Sequence, residues 1–282
     1  MQQVKTTVKS NRELLSYPGA KYYLMQIKAP EIAEASRPGQ FLMVKCGNTV
    51  LLRRPLSVHS VTKSGEVHLL FAVPDMLAKE NTLKLDRVSE TPFNKGKGTL
   101  WLSELRKQDE LNLVGPLGNG FSIDSKAQNL LLVAGGIGIA PLKFLAQKAL
   151  EQKKSIRLLI GARSKSGIYP QELLPAGATS VFSTEDGSFG RKAKVTELIP
   201  EHINWADQVF ACGPEAMYQE INVQFDKLKI EEPIQVSLEV RMGCGIGACY
   251  GCGINTRRGM ERVCKDGPVF NISDIIWQEV RK

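Results

Sequence analysis

Four cysteines crowd into 21 residues near the end of the chain, in the string MGCGIGACYGCGINTRRGMERVC. They are Cys244, Cys249, Cys252 and Cys264, spaced C-x4-C-x2-C with eleven residues before the last. This is the plant-type spacing for ligation of a [2Fe–2S] cluster. A rhombic two-iron core takes two thiolates per iron, all pointing inward from a loop that wraps it. Gly243, Gly245, Gly247, Gly251 and Gly253 permit the tight turns of such a loop and bring backbone N–H groups to the sulfurs, because glycine adopts positive φ without steric cost.

Two other uses of the cysteines stay open. Zinc sites usually pair two short cysteine knuckles, and the string offers one C-x2-C. Structural disulfides need an oxidising compartment, and the opening MQQVKTTVKSNRELL lacks the apolar stretch of an export signal. Cys46 and Cys212 stand apart and read as small buried residues.

A chain of 282 residues has room for about two domains and a small module. With 43% apolar and 23% charged residues it is neither disordered nor collagen-like. Its longest uncharged apolar run, Leu130 to Leu142, contains three glycines and a proline and is too short to span a bilayer, so a cytosolic protein without membrane contact is expected. The net charge is +8, but the basic residues are scattered, as at Lys153–Lys154 and Arg257–Arg258. That argues against nucleic acid and leaves an acidic protein or a phosphate-bearing cofactor as the natural partner.

The first 120 residues carry strand-like segments, KYYLMQIKA, FLMVKC, VLLRRPLSVHSV and EVHLLFAV, broken by SYPG, RPGQ and TKSG. Short strands with turn signals predict an antiparallel barrel or sandwich. The stretch 74–95, with eight charged residues and two prolines, reads as an inserted loop or hairpin. From about residue 128 strands and helices alternate: NLLLVAG, PLKFLAQKALEQ, SIRLLIGA, TSVFST, DQVFACG and PEAMYQEINVQFDKLK, with IQVSLEV as a final strand. Such alternation predicts a doubly wound parallel sheet.

Four motifs carry candidate chemistry. Arg53–Ser57, at the end of a barrel strand, offers a guanidinium for a diphosphate and a hydroxyl for a flavin, or it is an exposed Arg-Pro turn. Gly98 and Thr99 offer N–H groups at a helix start, or a glycine turn with a threonine N-cap. Ala134–Pro141, containing Gly135, Gly136 and Gly138, follows a strand and opens a helix, the context of a dinucleotide site without the G-x-G-x-x-G spacing. Cys212, Gly213 and Pro214 end a later strand, where ligands of open parallel sheets bind, or they simply start a helix with proline.

In order, RPLS, GKGT, GPLGNGF, AGGIGIAPL and ACGPEAM resemble the ferredoxin-reductase superfamily, and the tail MGCGIGACYGC…RVCKDGPVF resembles the electron-transfer subunits of class 1B dihydroorotate dehydrogenases over nearly the whole chain. The resemblance implies an antiparallel flavin-binding β-barrel (residues 1–122), a parallel-sheet NAD-binding domain (123–233) and a C-terminal [2Fe–2S] module (234–282). It assigns FAD to Arg54, Pro55, Leu56, Ser57, Leu70, Phe71, Ala72, Gly98 and Thr99, and the cluster to the four cysteines. It also places Cys212 near the nicotinamide. Ala72 stands where the family's second flavin segment carries arginine.

The implied activity is electron transfer in pyrimidine biosynthesis. A partner subunit carrying FMN oxidises dihydroorotate, electrons pass singly through the cluster to FAD, and FAD exchanges hydride with NAD. A heterotetramer is expected. The residues form no acid–base triad, and His59, His68 and His202 read as structural or exposed. A related reductase subunit, as in sulfhydrogenases or ferredoxin-dependent transhydrogenases, is the alternative, and a zinc-bearing, flavin-free interaction module is a more distant one. Arg163, Ser164 and Lys165 leave the choice between NAD and NADP open.

Overall fold

The computed structural model describes residues 1–74, 96–228 and 234–277, so the charged stretch expected at 74–95 lies, but for Pro74, outside the described residues. Six strands close an antiparallel barrel: β1 (Gln2–Tyr17), β2 (Ala20–Lys28), β3 (Phe41–Val44), β4 (Arg54–Val61), β5 (Glu66–Pro74) and β6 (Glu110–Leu117), in the order β1-β2-β5-β4-β3-β6. A short helix, α1 (Pro30–Ala35), sends Ile32 and Ala33 into the barrel core, and α2 (Lys97–Glu104) adds Leu102. Two of these strands, β1 and β6, were not among the segments expected from composition.

The second part is a seven-stranded sheet. Its strands are β7 (Asn129–Gly135), β8 (Ser155–Ala162), β9 (Thr179–Thr184), β10 (Arg191–Lys192), β11 (Gln208–Cys212), β12 (Ile234–Ser237) and, further along the chain, a last antiparallel strand at Val269–Asn271. The order β10-β9-β8-β7-β11-β12 runs outward in both directions from the β7–β11 pair, and these strands are mutually parallel. The strand order therefore reverses between β7 and β11, and such reversals open a crevice at the carboxyl ends of the two strands.

Side chains alternate across this sheet with period two. Leu131, Val133, Val209 and Ala211 share one core with Met217, Ile221 and Phe225 of the helix Glu215–Leu228. Leu130, Leu132, Ala134 and Phe210 face the other way, against Leu142, Leu145 and Ala146 of α3 (Ile139–Glu151). After α4 (Ile199–His202), the helix Glu215–Leu228 is α5. α3 also packs on the barrel, and its Phe144 belongs to the barrel core.

The C-terminal residues are interleaved with the sheet rather than hung from it. A hairpin, β13 (Gly253–Thr256) and β14 (Gly259–Arg262), is followed by β15 (Val269–Asn271), which hydrogen-bonds to β12. Cys252, Ile254, Val263 and Cys264 share a core with Val236 and with Phe41 and Met43 of β3. Among the described residues, no helix is long and apolar enough to cross a membrane.

Candidate functional site

The cysteine loop is shaped by its glycines and seated on the barrel. Gly245 and Gly247 have φ of +74° and +83°, values that disfavour any side chain. Added Cβ atoms would also collide: at Gly245 one would lie 2.4 Å from Met43 Cγ, and at Gly247 2.6 Å from Lys265 Cδ. Six backbone N–H groups point at the sulfurs. Those of Ile246, Ala248 and Cys249 reach Cys244 Sγ at 3.3–3.4 Å. Gly247 reaches Cys264 at 3.1 Å, Cys264 reaches Cys252 at 3.4 Å, and Gly251 reaches Cys249 at 3.5 Å.

This donor set suits thiolates, and the sulfurs stand as two neighbouring pairs, Cys244 with Cys249 and Cys252 with Cys264. Among the described residues no three Cys, His, Asp or Glu side chains gather as a single-ion site. Two pairs are what a two-iron core requires, so the residues fit a [2Fe–2S] cluster. The pairs differ electrostatically. Burial raises the Cys244 thiol, but the N–H groups of Ile246, Cys249 and Ala248 outweigh it and hold the thiol at about 6. Burial and its neighbour Cys252 push Cys264 up to about 12.

The flavin motif lies one strand away. Met43, which the loop touches at Gly245, is the cross-strand partner of Pro55. The structure separates the two arginines of the motif. Arg53 is spent inside the protein, donating to the Asn112 carbonyl at 2.9 Å and to its side-chain oxygen at 2.5 Å. Arg54 passes over Gly98, where a Cβ would lie 2.6 Å from its Nε. RPLS and GKGT are thus brought together. Thr99 is not an N-cap: Gly96, at φ +83°, caps α2, and the Thr99 hydroxyl donates back to the Gly96 carbonyl. Leu56 is buried in the barrel, while Pro55 and Ser57 are half-buried. Leu70 is buried against the sheet domain, and Phe71 lies in the barrel core, stacked on Tyr23. From this segment, backbone and the half-buried Ala72 remain for a ligand.

The two glycine turns meet at the crevice. A Cβ at Gly138 would lie 1.9 Å from the Cys212 carbonyl oxygen, and Gly213 and Gly135 are close enough that a Cβ on Gly213 would be 3.2 Å from Gly135 Cα. Gly136, at φ +54°, faces the Tyr22 hydroxyl of the barrel. Around them open a cleft of about 360 Å³, lined in part by Tyr17, Tyr22, Gly136, Gly213 and Glu239, and a neighbouring cavity of about 160 Å³. Gly135, Ala162, Glu185 and Pro214 line both, so one elongated ligand can run through the two. Cys212 keeps its side chain out of this space. Its thiol is buried, 3.7 Å from the Ser237 carbonyl, and burial drives its pKa far up. A contact to a ligand here passes through Gly213.

The family description "Iron-sulfur cluster binding domain of dihydroorotate dehydrogenase B" matches residues 239–276, and "Oxidoreductase NAD-binding domain" matches 132–222. The chain is 37% identical to the dihydroorotate dehydrogenase B (NAD(+)) electron transfer subunit of Desulforamulus reducens, over 91% of this chain and 93% of that one. It is 34% identical to the subunit of the same name from Caldanaerobacter subterraneus, over 98% and 99%. The chain belongs to the dihydroorotate dehydrogenase B electron transfer subunits. Among solved structures it resembles an NADH-dependent reduced ferredoxin-NADP oxidoreductase, with a TM-score of 0.79, 26% identity and coverage of 98% and 91%. A ferredoxin NADP+ reductase from Neisseria gonorrhoeae with bound FAD and NADP shares the fold, at a TM-score of 0.60, 14% identity and coverage of 80% and 92%.

Family membership agrees with the expected barrel, parallel sheet and iron–sulfur module. The structure adds residues that the motifs did not single out. Glu239 is an exposed carboxylate that lines the cleft. Tyr17 and Tyr22, hydroxyls 3.2 Å apart, form the barrel side of the cleft. Glu185 lies at the joint of the two cavities. Arg163 lines the cleft, whereas Lys165 stacks by its ammonium over Phe189. A charged residue just after each strand end was the available signal, and the parallel sheet was needed to read it.

Proposed function

We propose that this chain is the electron-transfer subunit that carries electrons between a dihydroorotate-oxidising flavoprotein and NAD, in pyrimidine synthesis. One observation carries the reading: the four-thiolate loop rests on Met43, whose strand partner is Pro55 of the flavin motif. That contact gives a cluster and a flavin adjacent seats. In this reading Cys244, Cys249, Cys252 and Cys264 hold the [2Fe–2S] cluster. Arg54 and the amides of Gly98 and Thr99 bind the FAD diphosphate, and Ser57 with the backbone at Leu70–Ala72 borders its ring. NAD lies across Gly135, Gly136, Gly138, Gly213 and Pro214. When bound, FAD interconverts electron pairs and single electrons, and the cluster moves single electrons. The protein supplies position, hydrogen bonds and exclusion of water.

The partner is an FMN-containing catalytic subunit, assembled with this chain as a heterotetramer in the cytoplasm. Support comes from the names of the relatives and from the cluster face itself. Ile246, Tyr250 and Met260 are exposed around the cysteines, and exposed apolar groups gathered at one site suit a protein contact. In this reading the domains divide near residues 122 and 233, and the C-terminal module lends its first strand, β12, to the parallel sheet.

The structural likeness to a ferredoxin-NADP oxidoreductase supports a second reading, a reductase subunit working with another partner. An anaerobic visible spectrum of the complex as purified separates them. Bleaching of flavin and cluster bands by dihydroorotate supports the first reading. Bleaching by NADH or NADPH alone supports the second. A colourless protein holding zinc would overturn both.

A further inference from the structure

His59 lies on β4, two residues beyond Ser57 of the flavin motif, and is fully buried. Its Nδ1 is 2.9 Å from the carbonyl oxygen of Ala140, two residues beyond Gly138 in the nucleotide turn. Its Nε2 is 2.9 Å from the hydroxyl of Tyr169, which is also buried and lies between β8 and β9. A carbonyl only accepts, so Nδ1 carries the proton and Nε2 accepts from Tyr169. Both polar atoms of the ring are therefore satisfied by the nucleotide domain, while the ring itself belongs to the barrel. The remaining charged or titratable neighbours are Lys143 of α3 and His68 of β5. Burial, reinforced by the Lys143 charge, keeps the imidazole neutral.

An apolar side chain here would leave the Ala140 carbonyl and the Tyr169 hydroxyl without this partner. Apolar packing is non-directional, whereas a hydrogen bond sets both the distance and the angle of the groups it joins. A rigid ring of the barrel, bonded through Nδ1 to the backbone of the nucleotide turn, does not allow the strand and the turn to slide past one another.

We propose that His59 is a positioning residue: it fixes the register between the flavin strand and the nucleotide turn, so that nicotinamide and flavin meet in one geometry, and it touches neither. The inference rests on the assignment of FAD to β4 and NAD to the Gly135–Pro141 turn.

The test uses the whole complex and two amide variants. In His59→Asn the amide nitrogen falls where Nδ1 was and keeps the Ala140 bond. In His59→Gln the amide reaches the place of Nε2 and loses the Ala140 bond. Three quantities are read: the single-turnover rate of flavin reduction by NADH, the nucleotide affinity, and hydrogen exchange of the 136–145 amides without nucleotide. Misplacement of reacting groups by a fraction of an ångström to one ångström costs about ten- to a hundredfold in rate. His59→Gln should therefore lose about tenfold or more in rate, with affinity nearly unchanged and faster exchange over 136–145. His59→Asn should stay within about threefold of wild type, and Tyr169→Phe, which keeps the Ala140 bond, should do the same. Equal losses in the Asn and Gln variants, or a loss confined to affinity or tracking melting temperature alone, would overturn the proposal. If wild-type flavin is not reduced by NADH, the cofactor assignment fails instead, and that outcome shows in the wild type alone.

Discussion

Around Cys244 three backbone N–H groups face one sulfur, and the loop that supplies them is largely open to solvent. Around His59 nothing faces water, and the ring is held by two segments that lie 81 and 110 residues away. The cluster loop is a local structure: glycine turns and N–H groups aimed at the sulfurs shape it, and it is seated on the barrel at Met43, Phe41 and Asn119. The barrel–sheet junction is a tertiary structure, in which Phe144 of α3 sits in the barrel core while Tyr22 and Leu70 of the barrel pack into the core of the sheet domain. Single-electron traffic with a partner needs an exposed edge. Hydride transfer needs a closed, dry and accurately registered site. The two halves of the task therefore separate into two styles of construction, and damage to one should spare the other.

Removal of a ligand gives the largest effect. Cys249→Ser should abolish the cluster, and with it iron content, the cluster's EPR signal and electron flow to the partner. Flavin reduction by NADH should largely persist. If the variant retains its iron, the ligand assignment is wrong; if flavin reduction disappears as well, the two regions are not separable.

Gly138→Ala attacks the other region. A Cβ 1.9 Å from the Cys212 carbonyl oxygen meets the backbone of the Cys212–Gly213 peptide, so no flexible side chain can yield. Overpacking of this kind costs about 3 kcal/mol. A lower melting temperature and loss of NADH-driven flavin reduction are expected, with the EPR signal of the cluster unchanged. A variant that binds NADH and melts like wild type would show that the turns are not pressed together.

The junction should also be the acid-sensitive region. Burial first, then the Lys143 charge, holds His59 down at about 3. An imidazole in the unfolded chain titrates near 6.5. As pH falls the unfolded state takes up the proton first, so stability is lost below pH ~6.5, by about 2 kcal/mol at pH 5. His68 and His202 shift in the same direction, each chiefly through burial. The informative quantity is thus the difference between wild type and His59→Asn in denaturant midpoint at pH 7 and at pH 5. An identical pH slope in both would contradict the assignment.

The same contrast explains what was legible in the amino-acid sequence. The cysteine spacing and its glycines are local, and they translate directly into paired sulfurs. β7 and β11 were likewise readable as short apolar strands, and the Met217–Ile221–Phe225 stripe of α5 from its helical spacing. β1 was not. Val8 is its sole fully buried residue along 16 positions, and it is a strand because β2 and β6 fill its two edges. β6 does alternate, with Leu111, Leu113 and Leu117 inward, but Gly115 and Pro116 within it hid its end. The His59–Ala140–Tyr169 contact joins three distant segments, and no local pattern encodes such a meeting. Arg54 was set apart from Arg53 by the resemblance alone, and the physical difference between them arises from Asn112 and Gly98, again at long range.

The finest division lies within the cluster loop, at Arg262. Its guanidinium pairs with Asp266 through two nitrogens, at 3.0 and 3.3 Å, and donates to the Gly247 carbonyl at 3.0 Å. It also sits 5.0 Å over the Tyr250 ring. Gly247 lies between the first two cysteines, Tyr250 between the second and third, and Asp266 after the fourth, so one side chain ties three stretches of the loop. It also places a positive charge beside the cluster's seat, and such charge raises a cluster's reduction potential. Arg262→Gln should still assemble the cluster, with a more negative midpoint potential and faster loss of iron to a chelator. Arg262→Lys keeps the charge but loses the planar fork. Its potential should stay nearer wild type while its iron loss follows the Gln variant. If both variants shift the potential equally, geometry rather than charge sets it, and the loop is less independent of its clamp than its local hydrogen bonds imply.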